Sequence, residues 1–459
     1  MFASSRLGPP YQPEASHHAT AGRVTIHPTN MAAAALDSSP QNSASTGRSS
    51  AVDSALGSLA LEDESSIMPI AAHGDLVLRI KHETIGRRVS ADFRVSTEAL
   101  KQQSRYFGRL LQVGRFGEGN EVAARQQVLR EQYRDLAEVP SSQLPVITVQ
   151  DVGRISRVKS LAMLCADFLY ILHGRDLQAL PPVANLANLT ILADRFDALE
   201  VVKSYVGRKK TLRMIDGKTT AKADGALSEE RVRQRLLVAI MLEHPSWMEK
   251  YSSRLIVKGW VGREADLSSP LWWDLLSRIE EELAYRRECA LETIQSLQSY
   301  FLGLYASRER QCKLGYDSSP QCDSFQLGEM VRFFARAGTL KLQGGLIDNS
   351  DATEPFPGDV TFLLDTLRQV PEYQIDRHHS HCGIRTRLLP LLDLVAQCLP
   401  YIGVCAPCWA DARFQYAWID AKKPLLWKRQ DFVFRVHGHG DRHADLRAMF
   451  TAAERDWGS

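Results

Sequence analysis

From about His73 the chain passes from a polar run into regular alternation. In DLVLRIKHE (75–83), Leu76, Leu78 and Ile80 fall on one face and Val77, Arg79 and Lys81 on the other, the period of a strand with one buried side. A second strand, RRVSADFRVS (87–96), follows a turn at Gly86. EALKQQSRYFGRLL (98–111) then repeats Leu100, Phe107 and Leu111 at helical spacing, with Tyr106 and Leu110 widening the stripe. The polar stretch 112–145 reads as a surface insertion with a short helix over 121–136, its apolar side made by Val128, Leu129, Tyr133 and Leu136. VITVQDV (146–152) predicts a short strand and VKSLAMLCADFLYILHG an apolar helix stopped by Gly174. Residues 183–209 predict two consecutive helices, the second with Leu199, Val202 and Val206 inward. Strands and helices mixed in this order predict one α+β domain.

The pattern changes after residue 210. GKTTAKADG (217–225) has two glycines and no large apolar residue, so 211–226 reads as a linker. Beyond it, 227–450 predicts a mainly α-helical domain. A helix starts near Ser228, and a stretch over 268–310 carries Leu275, Ile279, Leu283, Arg286, Ala290, Ile294, Leu297, Phe301 and Tyr305 at spacings of three or four. Shorter helices follow over 327–338, 359–370 and 388–399. No internal repeat is visible.

Composition narrows the class. The 459 residues carry 56 Lys and Arg against 54 Asp and Glu, so no global field points to nucleic acid or to an acidic partner. A small basic cluster, Arg208, Lys209, Lys210 and Arg213, lacks interleaved aromatics, which makes nucleic acid an unlikely ligand. The opening MFASSRLGPP lacks a signal peptide's apolar core, and no apolar run is long enough to span a bilayer. An intracellular protein, in cytoplasm or nucleus and without a membrane partner, is the expectation. Residues 1–70 are rich in Ser, Ala, Asn and Pro and read as a disordered tail.

The segment 73–206 resembles the BTB/POZ domain family. The resemblance rests on HGDLVLRI, FRVSTEALKQQSRYFGRLL, VITVQDV, FLYILHGRDL and VANLANLTILADRFDALEVVKSYV. Within these, Asp75 sits at the family's acidic position. Phe93, Leu100, Ser104, Tyr106 and Phe107 match its F…L…S-x-Y-F spacing, Tyr170 and Gly174 its helix-ending turn, and Ala193, Asp194 and Phe196 its L-A-D-x-F helix. Two departures, Ser96 where the family usually has histidine and the insertion at 112–145, are of the kind seen in divergent fungal members. The resemblance implies a BTB/POZ-like interaction domain over 73–210 whose partners would be a second copy of the chain, as a homodimer, or a cullin-type scaffold. The insertion would cover or replace the usual contact surface.

Seven of the eight cysteines lie after residue 280, and in a reducing compartment such clustering points to metal ligands or buried thiols. Cys405 and Cys408 have C-x-x-C spacing, which lets two thiolates face one ion. His379, His381 and Cys382 in HHSHCG, and Cys312 and Cys322 in CKLGYDSSPQCD, are the other candidates. One or two structural zinc sites drawn from Cys312, Cys322, His379, His381, Cys382, Cys405 and Cys408 are expected. Cys312, Cys322, Cys382 and Cys408 make one grouping, and His379, Cys382, Cys405 and Cys408 another. Cys165, Cys289 and Cys398 read as helix-core thiols, and HGHGDRH (437–443), with His437, His439, Asp441 and His443, as an exposed polar loop. No G-x-S-x-G, H-E-x-x-H or P-loop pattern occurs. The sequence therefore reads as a protein–protein interaction adaptor or scaffold rather than an enzyme. A metal-dependent enzyme or a zinc-containing nucleic-acid-associated protein is the alternative.

Overall fold

The computed structural model describes residues 67–84, 87–156, 158, 160–264, 266, 268–314, 319–340, 356–433 and 439–458. The expected tail up to residue 66, the turn at Gly86 and His437 lie outside them, whereas the tail's last residues, 67–70, belong to the fold, with Met68 and Pro69 in the sheet and Ile70 buried. Four strands, β1 (Met68–Pro69), β2 (Leu76–Thr84), β3 (Arg87–Val95) and β4 (Val146–Val149), form a sheet in the order β1-β3-β2-β4. β2 and β3 pair antiparallel from Leu76↔Val95 to Thr84↔Arg87, and β4 lies parallel to β2 with Val77 opposite Val146. Leu76, Leu78, Ile80, Ala91, Phe93 and Val95 are all buried, as the two-residue period requires of one face.

The junctions after β3 are set by short polar side chains. Ser96 Oγ caps α1 (Thr97–Gln103), and Asp75 Oδ1 accepts the Thr97 N–H at 2.7 Å. Ser104 Oγ accepts the Phe107 N–H to cap α2 (Arg105–Leu110), and donates to the Phe196 carbonyl 92 residues away at 2.6 Å. Such caps satisfy helix N–H groups that have no partner inside the helix. Phe107 and Phe196 stack at 5.2 Å, with Tyr106 edge-on to both and Phe168 behind Phe196. The F…L…S-x-Y-F and L-A-D-x-F segments thus meet in one aromatic cluster.

The insertion does more than coat the surface. Its helix, α3 (Gly117–Gln132), begins and ends about four residues earlier than the periodicity predicts. Leu129, Leu136, Val139 and Leu144 pack on Val77, the one apolar side chain on the far face of β2, in a small second core. Gln126, also buried, donates to the Asp75 carboxylate at 3.0 Å. Val128, expected inside, is 51% exposed. The helix is anchored by a polar residue on its inner face, which an apolar count cannot register.

α4 (Leu161–Leu172), α5 (Val183–Arg195) and α6 (Leu199–Arg208) follow, with Val202 and Val206 buried as expected. His173, at the end of α4, sets its Nδ1 2.7 Å from the Leu169 carbonyl, while its Nε2 accepts the Ser96 N–H at 3.0 Å. Only a neutral ring protonated on Nδ1 makes both bonds. Burial, the largest influence, holds its pKa below the ordinary histidine value. The unfolded chain therefore takes up this proton at a higher pH than the folded one. The bonds contribute fully above the unfolded pKa, near 6.5, and their contribution is lost as pH falls through the folded value. Between pH 7.5 and 5, urea midpoints should fall more for the native chain than for His173→Gln, whose amide cannot titrate. Equal slopes would refute the assignment.

The stretch expected to be a linker is helical: α7 (Thr211–Lys218) and α8 (Ala221–Gly225). Leu212 and Ile215 are buried in the main core, and the remaining anchors are acidic, which the composition hid. The Asp216 carboxylate accepts the Trp247 indole N–H at 2.9 Å, and Asp224 accepts from the Tyr251 hydroxyl and from Arg254 at 3.0 Å each. α9 (Glu229–Met241) packs against both α5 and α10 (Pro245–Lys258), so the two halves meet through helices. The described residues belong to one compact unit. α10 ends at Gly259 (φ +81°), where a Cβ would meet the Pro357 carbonyl and the Arg287 guanidinium at under 3 Å.

The long helical stretch is shorter than expected. α11 spans Ile279–Ala306, after a turn in which Trp272 is buried and Ser277 and Arg278 adopt positive φ. Those two residues set the helix start, eleven residues after the stretch begins at 268 in the sequence. α12 (Ser319–Arg336), α13 (Val360–Arg368), α14 (Arg385–Cys398), α15 (Ala406–Asp411), α16 (Arg413–Tyr416) and α17 (His439–Thr451) complete the helices. A parallel pair, β5 (Leu426–Lys428) and β6 (Glu454–Asp456), lies on either side of α17 in sequence. No helix among the described residues is long and apolar enough to cross a membrane.

Candidate metal centres

The fold divides the cysteine and histidine candidates into two groups of four, and neither grouping written from the sequence is the one it makes. In the first group, Cys312 lies on the segment after α11, Cys322 in the first turn of α12, and His379 and Cys382 on the turn before α14. All four are buried, at 5% exposure or less. Asp376 shapes the turn by accepting the backbone N–H groups of His378 and His379, and those bonds hold its carboxyl below the usual range. His379 Nε2 stands 3.9 Å from Asp376 Oδ2, leaving Nδ1 to face the sulfurs. The Tyr305 hydroxyl donates to the Cys382 carbonyl at 2.7 Å from the opposite side.

The spacings are those of a coordination shell. Metal–sulfur and metal–nitrogen lengths of about 2.3 and 2.05 Å give tetrahedral edges of about 3.8 Å between sulfurs and about 3.6 Å between sulfur and nitrogen. Cys312 Sγ lies 3.9 Å from Cys382 Sγ and 3.5 Å from His379 Nδ1, and Cys382 Sγ lies 4.0 Å from the same nitrogen. The three cysteines pack as a buried cluster separate from the main core. Burial, then the neighbouring thiols Cys312 and Cys382, pushes the Cys322 thiol well above its ordinary pKa. A divalent cation would reverse that balance by stabilising thiolates.

The second group comprises Cys405, Cys408, His439 and His443. Cys405 is the N-cap of α15, Pro407 lies in its first turn, and Cys408 follows half-buried. His439 and His443 stand one turn apart on α17, a spacing that puts them on one face. His439 Nε2 lies 3.0 Å from Cys405 Sγ and 3.3 Å from His443 Nε2, the latter matching a nitrogen–nitrogen edge of about 3.3 Å. Burial first, with help from His439, Arg442 and Arg286, lowers the His443 pKa to about 4. The ring is therefore neutral at physiological pH, as a ligand must be. Burial and Cys405 raise the Cys408 thiol to about 11.

A buried ion pair holds this second segment in place. Arg286, 1% exposed, donates to Glu282 at 2.7 Å, to the carbonyls of Ile402 and Gly403 at 2.9 and 2.8 Å, and to the Tyr416 hydroxyl at 3.3 Å. The Glu282 oxygens also accept the N–H groups of Trp418 and Ile419. The guanidinium lies over the rings of Tyr416 and Trp418, at 4.9 and 4.7 Å. Tyr416 Oη in turn accepts the Cys405 N–H at 2.7 Å, and its ring meets His443 edge-on. At Gly403 a Cβ would run into the Glu249 carbonyl, so only glycine lets the loop lie this close to α10.

Two readings from the sequence need correction. His381 is in neither group: it adopts φ +64°, is 65% exposed along its side chain, and pairs with Glu372 at 3.0 Å. His439 and His443 are helical ligand candidates rather than loop residues. Their H-x-x-x-H spacing puts both rings on one helix face, but 30 residues separate it from the C-x-x-C turn, farther than a zinc-finger spacing, and the flanking glycines suggested a loop. Cys165, Cys289 and Cys398 are buried in helices, their thiols raised to about 12, 11 and 12, chiefly by burial.

No family model, curated protein or solved structure matches this chain.

Proposed function

We propose that this chain is a protein–protein interaction adaptor or scaffold: a BTB/POZ-like module over 73–210 presents the partner surface, and two zinc ions brace the helical half. The reading is carried by the order of elements around the aromatic cluster. A hairpin, two capped helices, the inserted α3, a strand parallel to the first and three stacked helices support it. Ser104, Phe107 and Phe196 are the residues that lock them together. The insertion covers the Val77 end of one sheet face, and in this reading the partner surface lies on the helices and the edge strand β4.

Zinc is the ion the donors favour, because thiolate and imidazole in fours, with tetrahedral edges in the first group, suit it better than hard cations. Four protein ligands leave no position for water or substrate, so both ions would act by holding segments together. Residues Cys312, Cys322, His379 and Cys382 would hold one ion, and Cys405, Cys408, His439 and His443 the other.

Elemental analysis of full-length protein purified without added metal should give a zinc-to-chain ratio near two, one for each group. Light scattering with affinity purification of the same protein should show a homodimer or a stoichiometric partner, a cullin-type scaffold being the one the resemblance implies. A ratio near zero would remove the zinc. A monomer with no stoichiometric partner would overturn the adaptor reading.

A further inference from the structure

The two groups differ in access and in what else holds their segments. The first is sealed. Its four ligands are buried, and its segments are tied together around them: Arg387 and Asp323 both bond Gln311 beside Cys312, Tyr305 donates to the Cys382 carbonyl, and Gln326 donates to the Tyr373 carbonyl. The second is open. His439 is exposed and Cys408 half-buried. A cavity of about 250 Å³ reaches both Cys408 and His443, its wall completed by Gln415, Tyr416, Ala444 and Arg447. The segment bearing Cys405 is also fixed without metal. Glu282 and Arg286 bind 402–419 from α11, and the Val404 N–H donates to Ser252 at 2.7 Å.

From this contrast we infer that Cys405, Cys408, His439 and His443 form an exchangeable site for zinc or another thiophilic divalent cation, loaded and emptied while the protein stays folded. The first group is a locked site that gives up its ion only when its segments unfold. This inference rests on the zinc reading above and adds to it a division of labour. Exchange proceeds by ligand replacement. An incoming chelator or thiolate must reach the ion before the protein ligands leave, and only the second group offers it a path. Apo and loaded forms would share the main core and differ at the start of α17, where the two histidines would be released.

The test is zinc release from the full chain into excess chromogenic chelator, pyridylazoresorcinol, without denaturant. One equivalent should leave at least ~10-fold faster than the other. Cys408→Ser should abolish the fast equivalent while retaining the slow one and the native circular dichroism. Should that variant fail to fold, alkylation of the wild type gives the same answer. During chelation, iodoacetamide should label Cys405 and Cys408 before Cys312, Cys322 or Cys382, as read by peptide mass. Two equivalents leaving in a single phase, or the first group labelled first, would overturn the inference while leaving the zinc reading intact. Protein that carries no zinc at all would instead fail the reading beneath it.

Discussion

Replacing Cys322 with serine should remove one zinc equivalent and open the segments on either side of the first group, at a cost on the order of 5 kcal/mol. Metal binding to a small zinc domain is worth more than this, because there it supplies the whole fold. Here the main core contains none of the three cysteines, so the loss should be local. Without the ion, the Cys322 thiol, which burial keeps protonated, supplies no charge to hold the segments of Cys312, His379 and Cys382 around it. Trypsin digestion reads the effect directly. Arg310 and Lys313 flank Cys312 and already face solvent. Cleavage there should be slow in the loaded wild type and fast in Cys322→Ser or after prolonged chelation. Equal cleavage rates would show that the cluster holds nothing in place.

Arg286→Met should cost about 3–5 kcal/mol, the range for removing one partner of a buried ion pair. The methionine fills similar space but leaves the Glu282 carboxylate without its cation and the Ile402 carbonyl without its guanidinium donor, with only the Tyr416 hydroxyl left on the Gly403 carbonyl. Glu282→Gln should cost less, about 1–3 kcal/mol, because an amide oxygen can still accept one of the N–H groups of Trp418 and Ile419. Combining the two changes should cost less than their sum, since each variant already loses the other's partner. Urea unfolding of the zinc-loaded proteins provides the comparison. Single variants within about 1 kcal/mol of wild type would mean that the pair does not organise 402–419.

The strands and most helices were legible because their apolar residues recur with one dominant period. Leu76, Leu78 and Ile80 fixed the buried face of β2, and Leu283, Ala290, Ile294, Leu297 and Phe301 that of α11. What escaped notice was held by polar groups. Asp216 and Asp224 turn a glycine-containing stretch into helices by accepting bonds from α10, and Gln126 pins the insertion to Asp75. These polar bonds leave no apolar signature, unlike the buried Leu212 and Ile215 of α7 or Leu129 and Leu136 of the insertion. The candidate ligands were mostly visible as residue types, but their pairing was not, since coordination groups residues by space rather than by adjacency. Cys312 and Cys382, 70 positions apart, end within van der Waals reach, while His381, beside Cys382, faces the other way. The histidines of α17 carried only their i, i+4 spacing as a signal.

The packing of α9 against both α5 and α10 has an energetic corollary. Because strands and cysteine-bearing helices draw on one shared reservoir of folding free energy, whatever clings to the native form at either end lowers the population of unfolded chains for the other. A binding event on the sheet side should thus raise the urea midpoint at which the helical half unfolds, without any rearrangement travelling between them.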